Sequence, residues 1–193
     1  MPQYKKNIAI FASGAGTNAA NIIQYFSNKQ TAAIVLIVCN NPVAGVLQIA
    51  AVYNIPSLIL EKEKFFKGDA YIPELKKADI DFIVLAGFLW KIPSALINAY
   101  QNKIINIHPA LLPKFGGKGM YGNFVHEAVL SAKEKLSGIT IHFVDEVYDN
   151  GKIIFQTNCP VYENDTAETL AKRIHELEYK YFPQVIEEVI EKI

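Results

Sequence analysis

Lys103-Ile104-Ile105-Asn106-Ile107-His108-Pro109 is the stretch on which the fold of this chain turns. In an extended strand successive side chains alternate faces, so Asn106 and His108 point one way while Ile105 and Ile107 pack the other. Pro109 cannot donate to a sheet ladder, so the strand stops there with an amide and an imidazole together at its carboxyl end. Open α/β sheets hold their ligands at that edge.

Working outward, apolar runs alternate with helix-like periodic segments. The strand candidates are Asn7 to Ala12, Ala33 to Asn40, Ser57 to Leu60, Asp81 to Ala86 and Lys103 to Ile107. Several are continuous Val/Ile/Leu blocks, which suit strands covered on both faces and hence a parallel sheet. Helices are expected between them at Asn18 to Ser27, Val43 to Asn54, Tyr71 to Ala78 and Ser94 to Tyr100, and after them at Asn123 to Ala132. This is a doubly wound α/β pattern. Beyond the fifth strand, Gly138 to Val144 and Lys152 to Val161 are joined by Asp149-Asn150-Gly151. That is turn chemistry, so an antiparallel excursion is expected in place of a crossover helix. A terminal helix follows, with Asp165 as N-cap, Glu168 completing a capping box, and Leu170, Ile174, Leu177 and Tyr181 as its apolar stripe.

With 193 residues and 51% hydrophobic content, the chain is expected to form one domain, residues 1–193. Nineteen basic residues balance nineteen acidic ones, which removes the electrostatic footprint of a nucleic-acid binder and turns the expectation to small-molecule partners. Cys39, in an apolar run, and Cys159, before Pro160, lack the neighbours of a zinc site or redox pair and read as buried inert thiols; no metal is expected. The runs Ala32 to Cys39 and Phe82 to Trp90 fall short of the roughly 20 residues of a membrane helix. The start, Met1 to Lys6, is polar, and Ser13 and Gly14 interrupt the apolar stretch that follows. The expectation is a cytoplasmic protein with no membrane partner.

Ser13-Gly14-Ala15-Gly16-Thr17-Asn18 follows the first strand and opens a helix. Glycines let backbone amides approach an anion, and the helix amino terminus adds partial positive charge, so a phosphate fits. A tight strand-to-helix turn needs glycine for geometry alone, which is the competing explanation. A dinucleotide fingerprint requires a third glycine and an acidic residue ending the second strand; Ala19, Ala20 and Asn40-Asn41-Pro42 stand there. One terminal phosphate on a small substrate suits the loop better.

His108 can give or take a proton at neutral pH, and Asn106 can donate to an oxygen gaining negative charge. Asp149 is the candidate carboxylate to orient the imidazole, with Asp145 and Glu146 competing. His142 reads as a satisfied strand residue and His126 as a solvent-facing helical one. His175 and Glu178, three apart on the terminal helix, share a face, where a surface pair is the alternative reading. Pro109 to Gly122 carries Gly116, Gly117, Gly119 and Gly122 with Lys114 and Lys118, the composition of a mobile lid or of a merely floppy connection.

The Ser13 to Asn18 loop, Leu85-Ala86-Gly87-Phe88, Asn106-Ile107-His108-Pro109-Ala110-Leu111-Leu112-Pro113 and the Gly138 to Gly151 segment together resemble the folate-dependent formyltransferases, over nearly the whole chain and in the same order. The Asn-x-His-Pro-x-Leu-Leu-Pro run combined with the Asp149 turn is the specific part. The resemblance implies a Rossmann-like formyltransferase fold and formyl transfer from 10-formyltetrahydrofolate to the amine of glycinamide ribonucleotide, in de novo purine (IMP) synthesis. It further implies that Asn106 bonds the formyl oxygen, His108 handles the proton and Asp149 raises the histidine pKa. Gly16, Thr17 and Asn18 would hold the phosphate, with Glu178 and His175 at the ribose, and Leu89, Trp90, Lys91, Ile92 and Asn106 along the folate. Many relatives carry arginines at the position of Trp90 and near Lys67 or Gly68; here Lys91 or Lys67 would meet the folate tail. Transfer RNA or water as acceptor belongs to family members with an additional domain, which 193 residues are not expected to hold. A purely regulatory nucleotide-binding module would not require the Asn106, His108 and Asp149 set. The expected assembly is a monomer or homodimer.

Overall fold

The structure, a computed structural model, describes residues 5–193; the polar start Met1 to Tyr4 lies outside the described residues. One sheet of seven strands carries the fold: β1 (Lys6–Ala12), β2 (Ala32–Cys39), β3 (Ser57–Ile59), β4 (Phe82–Leu85), β5 (Ile104–His108), β6 (Leu136–Phe143) and β7 (Ile153–Pro160). Their spatial order is β3-β2-β1-β4-β5-β6-β7. The first five are parallel, and β6 and β7 run antiparallel. The chain reverses its direction of winding between β1 and β4, so the crevice beyond their carboxyl ends is the expected ligand edge.

Alternation along β1 fills both faces. Ile8, Ile10 and Ala12 enter a core covered by α1 (Thr17–Phe26), α2 (Val46–Val52) and α7 (Ala167–Ile190). Ala9 and Phe11 enter a second core covered by α3 (Lys62–Lys67), α4 (Ile72–Lys77) and α5 (Ser94–Ala99). Each fully buried Ile or Phe contributes roughly 1.5–3 kcal/mol, which is why the continuous apolar blocks become central strands. α6 (Asn123–Ser131) packs against α7.

The expected strands and helices are all present to within a few residues, but α3 adds a helix where none was foreseen. Its run Lys62-Glu63-Lys64-Phe65-Phe66-Lys67 buries Phe65 alone, too little periodicity to read in advance. The terminal helix also starts one residue later than expected. Thr166 is its N-cap and exchanges bonds with Thr169 in a capping box, while Asp165 is taken by Arg173 in a two-pronged pair at 2.9 and 3.0 Å. The fully buried stripe of α7 includes Leu170, Ile174, Glu178 and Phe182; Leu177 and Tyr181 flank it half-buried. An acid therefore occupies a position the helical period reserves for an apolar side chain. Cys39 and Cys159 are both free and buried, as the sequence suggests, and burial pushes each thiol pKa up. Among the described residues no helix is long and apolar enough to cross a membrane.

Candidate active site

β1 ends at Ala12 and the chain turns into α1 with Gly16 as N-cap at φ 79°. No side chain caps this helix, and its first backbone bond is Ala20 N–H to the Gly16 carbonyl at 2.9 Å. Among the described residues the first-turn amides of Thr17, Asn18 and Ala19 thus have no protein acceptor, the arrangement that favours an anion. Gly16 is demanded by packing, since a Cβ there would lie 2.7 Å from Val46 Cβ. Gly14 is different: nothing lies within 4 Å of where its Cβ would be. The loop is braced against the segment after β4, because Ser13 N–H donates to the Gly87 carbonyl at 3.0 Å and Leu89 N–H to Ser13 Oγ at 2.9 Å.

The acid on the buried stripe of α7 faces this loop. Glu178, 4% exposed, accepts from Asn18 Nδ2 at 2.8 Å and pairs with His175 Nδ1 at 2.8 Å, both through Oε2. That bond raises the His175 pKa against the opposing effect of burial. His175 and Glu178 are therefore linked across one face, as their spacing implies, but the carboxylate is interior and not a surface partner.

The carboxyl end of β5 makes the second half of the site. Parallel pairing to β4 and antiparallel pairing to β6 set Asn106 opposite His142 and His108 opposite Thr140. Asp149 comes in from the β6–β7 connection in a left-handed conformation, φ 54°. Its Oδ2 lies 3.5 Å from His108 Nδ1 and accepts Gly117 N–H at 2.8 Å. Its Oδ1 lies 3.6 Å from His142 Nε2 and 3.5 Å from Asn106 Nδ2. Asn106, His108 and Asp149 are thus brought together, and neither Asp145 nor Glu146 takes the position: Asp145 is bound to Val147 N–H and Asn150.

Hydrogen-bond partners fix the tautomers. His142 Nδ1 is 2.8 Å from the Phe143 carbonyl and must donate, so its Nε2 is the acceptor for Asn106 Nδ2 at 3.1 Å. His108 Nε2 is 2.8 Å from the Phe115 carbonyl and donates there, leaving Nδ1 to receive a second proton in front of Asp149. Burial lowers the His108 pKa; the Asp149 charge raises it, as the resemblance implies, and so does the Phe115 carbonyl, but they offset burial only in part. Burial also works to raise the Asp149 carboxyl, but His142, His108 and Gly117 N–H together hold it below its usual value.

The glycine-rich segment after Pro109 is anchored at both ends of this group by the Phe115 carbonyl and Gly117 N–H. Thr140, fully buried, donates to the Ala110 carbonyl and accepts from Leu112 N–H and Gln156, which fixes the path of the chain behind His108.

One histidine goes beyond its sequence reading and another departs from it. His142 is a satisfied strand residue and also a member of the polar group, for which cross-strand register with Asn106 is the signal, invisible without the pairing. His126, expected to face solvent, is 2% exposed and its Nδ1 has no partner. Asn123 to Ser131 packs against α7 and buries Val125, His126 and Val129, so the histidine lies on the buried face of α6.

Both halves open on one cleft of about 710 Å³, whose lining runs from Gly16 and Asn18 through His126 and Glu178 to His108, Asp149 and the Leu89 to Ile92 segment. Along that segment Lys91 is exposed and Ile92 is buried. Trp90 lines the cleft with its indole set against Phe65 and Phe66, at 5.7 and 5.4 Å between ring centroids. Lys67 is not part of the lining and is paired on the surface with Glu63 at 3.7 Å. Among the described residues no group of His, Cys, Asp and Glu has the geometry to hold a metal ion.

A family model described as formyl transferase matches residues 6–186. A curated chloroplastic phosphoribosylglycinamide formyltransferase of Arabidopsis thaliana is 42% identical over 97% of the chain, which spans 66% of that relative's length. The phosphoribosylglycinamide formyltransferase of Bacillus subtilis is 38% identical over 96% of the chain and 95% of the relative. The crystal structure of phosphoribosylglycinamide formyltransferase from Bacillus halodurans superposes with a TM-score of 0.88 at 38% identity, covering 97% of this chain and 96% of that one. Sequence, fold order and coverage agree, and the chain belongs to the formyl transferase family.

Proposed function

We propose that the protein transfers the formyl group of 10-formyltetrahydrofolate to the amine of glycinamide ribonucleotide, a step of de novo purine (IMP) biosynthesis. The observation that carries this reading is one cleft joining an uncapped helix amino terminus to a buried amide, imidazole and carboxylate group. Its relatives' printed names supply the acceptor.

In this reading the amides of Gly16, Thr17 and Asn18 hold the phosphate, and Glu178 with His175 holds the ribose. The formyl donor is a substrate, and it lies along Leu89, Trp90, Lys91 and Ile92 with its reacting end at Asn106. Lys91, exposed in the cleft, meets the tail; Lys67 is already paired with Glu63.

When the amine attacks the formyl carbon, the carbonyl oxygen gains negative charge. Asn106 Nδ2 has two N–H bonds; the one bonded to His142 Nε2 at 3.1 Å orients the amide, and the other, only loosely held by Asp149 Oδ1 at 3.5 Å, turns to that oxygen. His108 Nδ1 takes the proton from the attacking amine, directly or through water, because Nε2–H is committed to the Phe115 carbonyl. The imidazolium so formed faces the Asp149 carboxylate at 3.5 Å and returns its proton to the departing nitrogen. A lowered pKa keeps this base free at neutral pH.

Release of tetrahydrofolate, followed with and without glycinamide ribonucleotide, tests the reading. Consumption that requires this amine supports it. Equal consumption in its absence would mean hydrolysis, and no consumption in either case would mean a binding module without catalysis.

A further inference from the structure

His126 is a buried titratable group that the reaction outlined above leaves unused. It is the fourth residue of α6, on the face that also buries Val125 and Val129, and it is 2% exposed. Buried imidazoles normally have their ring nitrogens paired, because a desolvated unpaired polar atom costs about 1–3 kcal/mol. His126 Nδ1 is buried with no partner, although the ring forms part of the cleft wall. The same wall holds a second unmet atom. Asn18 donates its Nδ2 to Glu178, and its Oδ1 is buried and unpaired.

α7, which carries Glu178, packs against both α1 and α6, and Asn18, His126 and Glu178 all line the same cleft. Burial holds the His126 ring neutral, reinforced by His175 and His108 and opposed by Glu178. A neutral imidazole carries one donor and one acceptor, the complement of a hydroxyl. A ribose beside Glu178 brings two hydroxyls, each a donor and an acceptor; the carboxylate, held through Oε2 by Asn18 and His175, can only accept, so a hydroxyl oxygen there needs a donor such as a ring N–H.

We propose that His126 is a further substrate-binding residue, hydrogen-bonding a ribose hydroxyl of the amine substrate through a ring nitrogen beside Glu178. The inference rests on glycinamide ribonucleotide being the acceptor. It assigns His126 to the ribose and not to the formyl donor, because α6 packs against α7, the helix that carries His175 and Glu178.

The test is steady-state kinetics of His126→Phe, His126→Asn and His126→Gln with ribose, 2′-deoxyribose and 3′-deoxyribose forms of the amine substrate. His126→Phe keeps the ring and removes the polar atoms. It is expected to raise KM for glycinamide ribonucleotide about five- to tenfold, the net worth of one hydrogen bond, and to move KM for the formyl donor several-fold less. Asn or Gln, which return a polar atom near Nδ1 or Nε2, recover part of the loss. One of the two deoxy substrates binds wild type and His126→Phe equally well. Should the buried substitutions unfold the protein, ¹⁵N spectra of wild type settle the matter: a His126 ring resonance shifts on adding glycinamide ribonucleotide alone and not on adding the formyl donor alone. Unchanged KM for the amine, equal rises for both substrates, or an unmoved ring resonance would overturn the proposal while wild-type turnover upheld the activity. Absence of wild-type turnover with glycinamide ribonucleotide would overturn both.

Discussion

Replacing Asp149 with Asn isolates the charge at the centre of the site while leaving its shape. The amide keeps the shorter contact, its oxygen in the place of Oδ2 still accepting Gly117 N–H, bonded at 2.8 Å in the native protein; the contact it loses is the longer one, since an NH2 in the place of Oδ1 cannot accept from Asn106 Nδ2 at 3.5 Å. The fold is therefore expected to hold. What disappears is the attraction between the carboxylate and a proton arriving on His108 Nδ1 at 3.5 Å. At an effective dielectric constant of about 20, unit charges at that distance attract by about 5 kcal/mol. The amide oxygen and water at the cleft mouth return part of this, leaving about 2 to 3 kcal/mol of lost stabilisation. That corresponds to roughly 30- to 150-fold in kcat/KM.

The pH profile carries the sign. Asp149 raises the proton affinity of His108 against the lowering by burial. Removing its charge lowers that affinity further, so the acid limb, where His108 becomes neutral and able to accept, moves to lower pH while the plateau falls. Kinetics across pH 5 to 9, with circular dichroism to confirm folding, supply the readout. A plateau within threefold of wild type, or an acid limb that moves upward, would refute the reasoning.

Other perturbations test separate parts. Asn106→Ala is expected to lose about 100- to 1,000-fold in turnover, the usual worth of one oxyanion donor, with thermal stability near wild type; near-normal turnover would remove the amide from the mechanism. Gly16→Ala forces a side chain into φ 79° and 2.7 Å from Val46 Cβ, and is expected to cost about 2 to 3 kcal/mol, or roughly 4 to 12 °C in Tm. Arg173→Leu breaks the pair that holds the Asp165 carboxyl well below its usual range. A depressed folded pKa contributes stability above about pH 4 and loses it as pH falls further. The variant is therefore expected to melt well below wild type at pH 7 and to converge with it in acid, as seen by scanning calorimetry.

Much of this was legible along the chain because local rules and global fold agree. The Ile and Val blocks of β1, β2, β4 and β5 are central strands since no other element buries such runs on both faces. Asn106 and His108 could be paired from strand alternation alone, whereas Asp149 competed with Asp145 and Glu146 until the family resemblance singled it out. What escaped depends on neighbours distant in sequence. His142 joins the group through register with β5, which the alternation of β6 does not encode. His126 is buried because α6 lies against α7, and its own helix has too weak an apolar stripe to announce that. Glu178 was found by spacing from His175, yet its burial follows from the Leu170, Ile174, Phe182 stripe on which it lies. Asp149 raises the His108 pKa in the expected sense, but the burial that lowers it by more, at 3% exposure, depends on the packed neighbours and could not be read along the chain.

The most direct test is a crystal structure with glycinamide ribonucleotide and an unreactive analogue of the formyl donor bound together. The expected result has the phosphate on the amides of Gly16, Thr17 and Asn18 and the analogue's carbonyl oxygen within hydrogen-bonding reach of Asn106 Nδ2, with His108 and Asp149 still facing one another. A phosphate bound elsewhere, or a carbonyl lying beyond the reach of Asn106 and His108 even through a bridging water, would contradict the joining of an anion cradle and a proton acceptor in a single cleft.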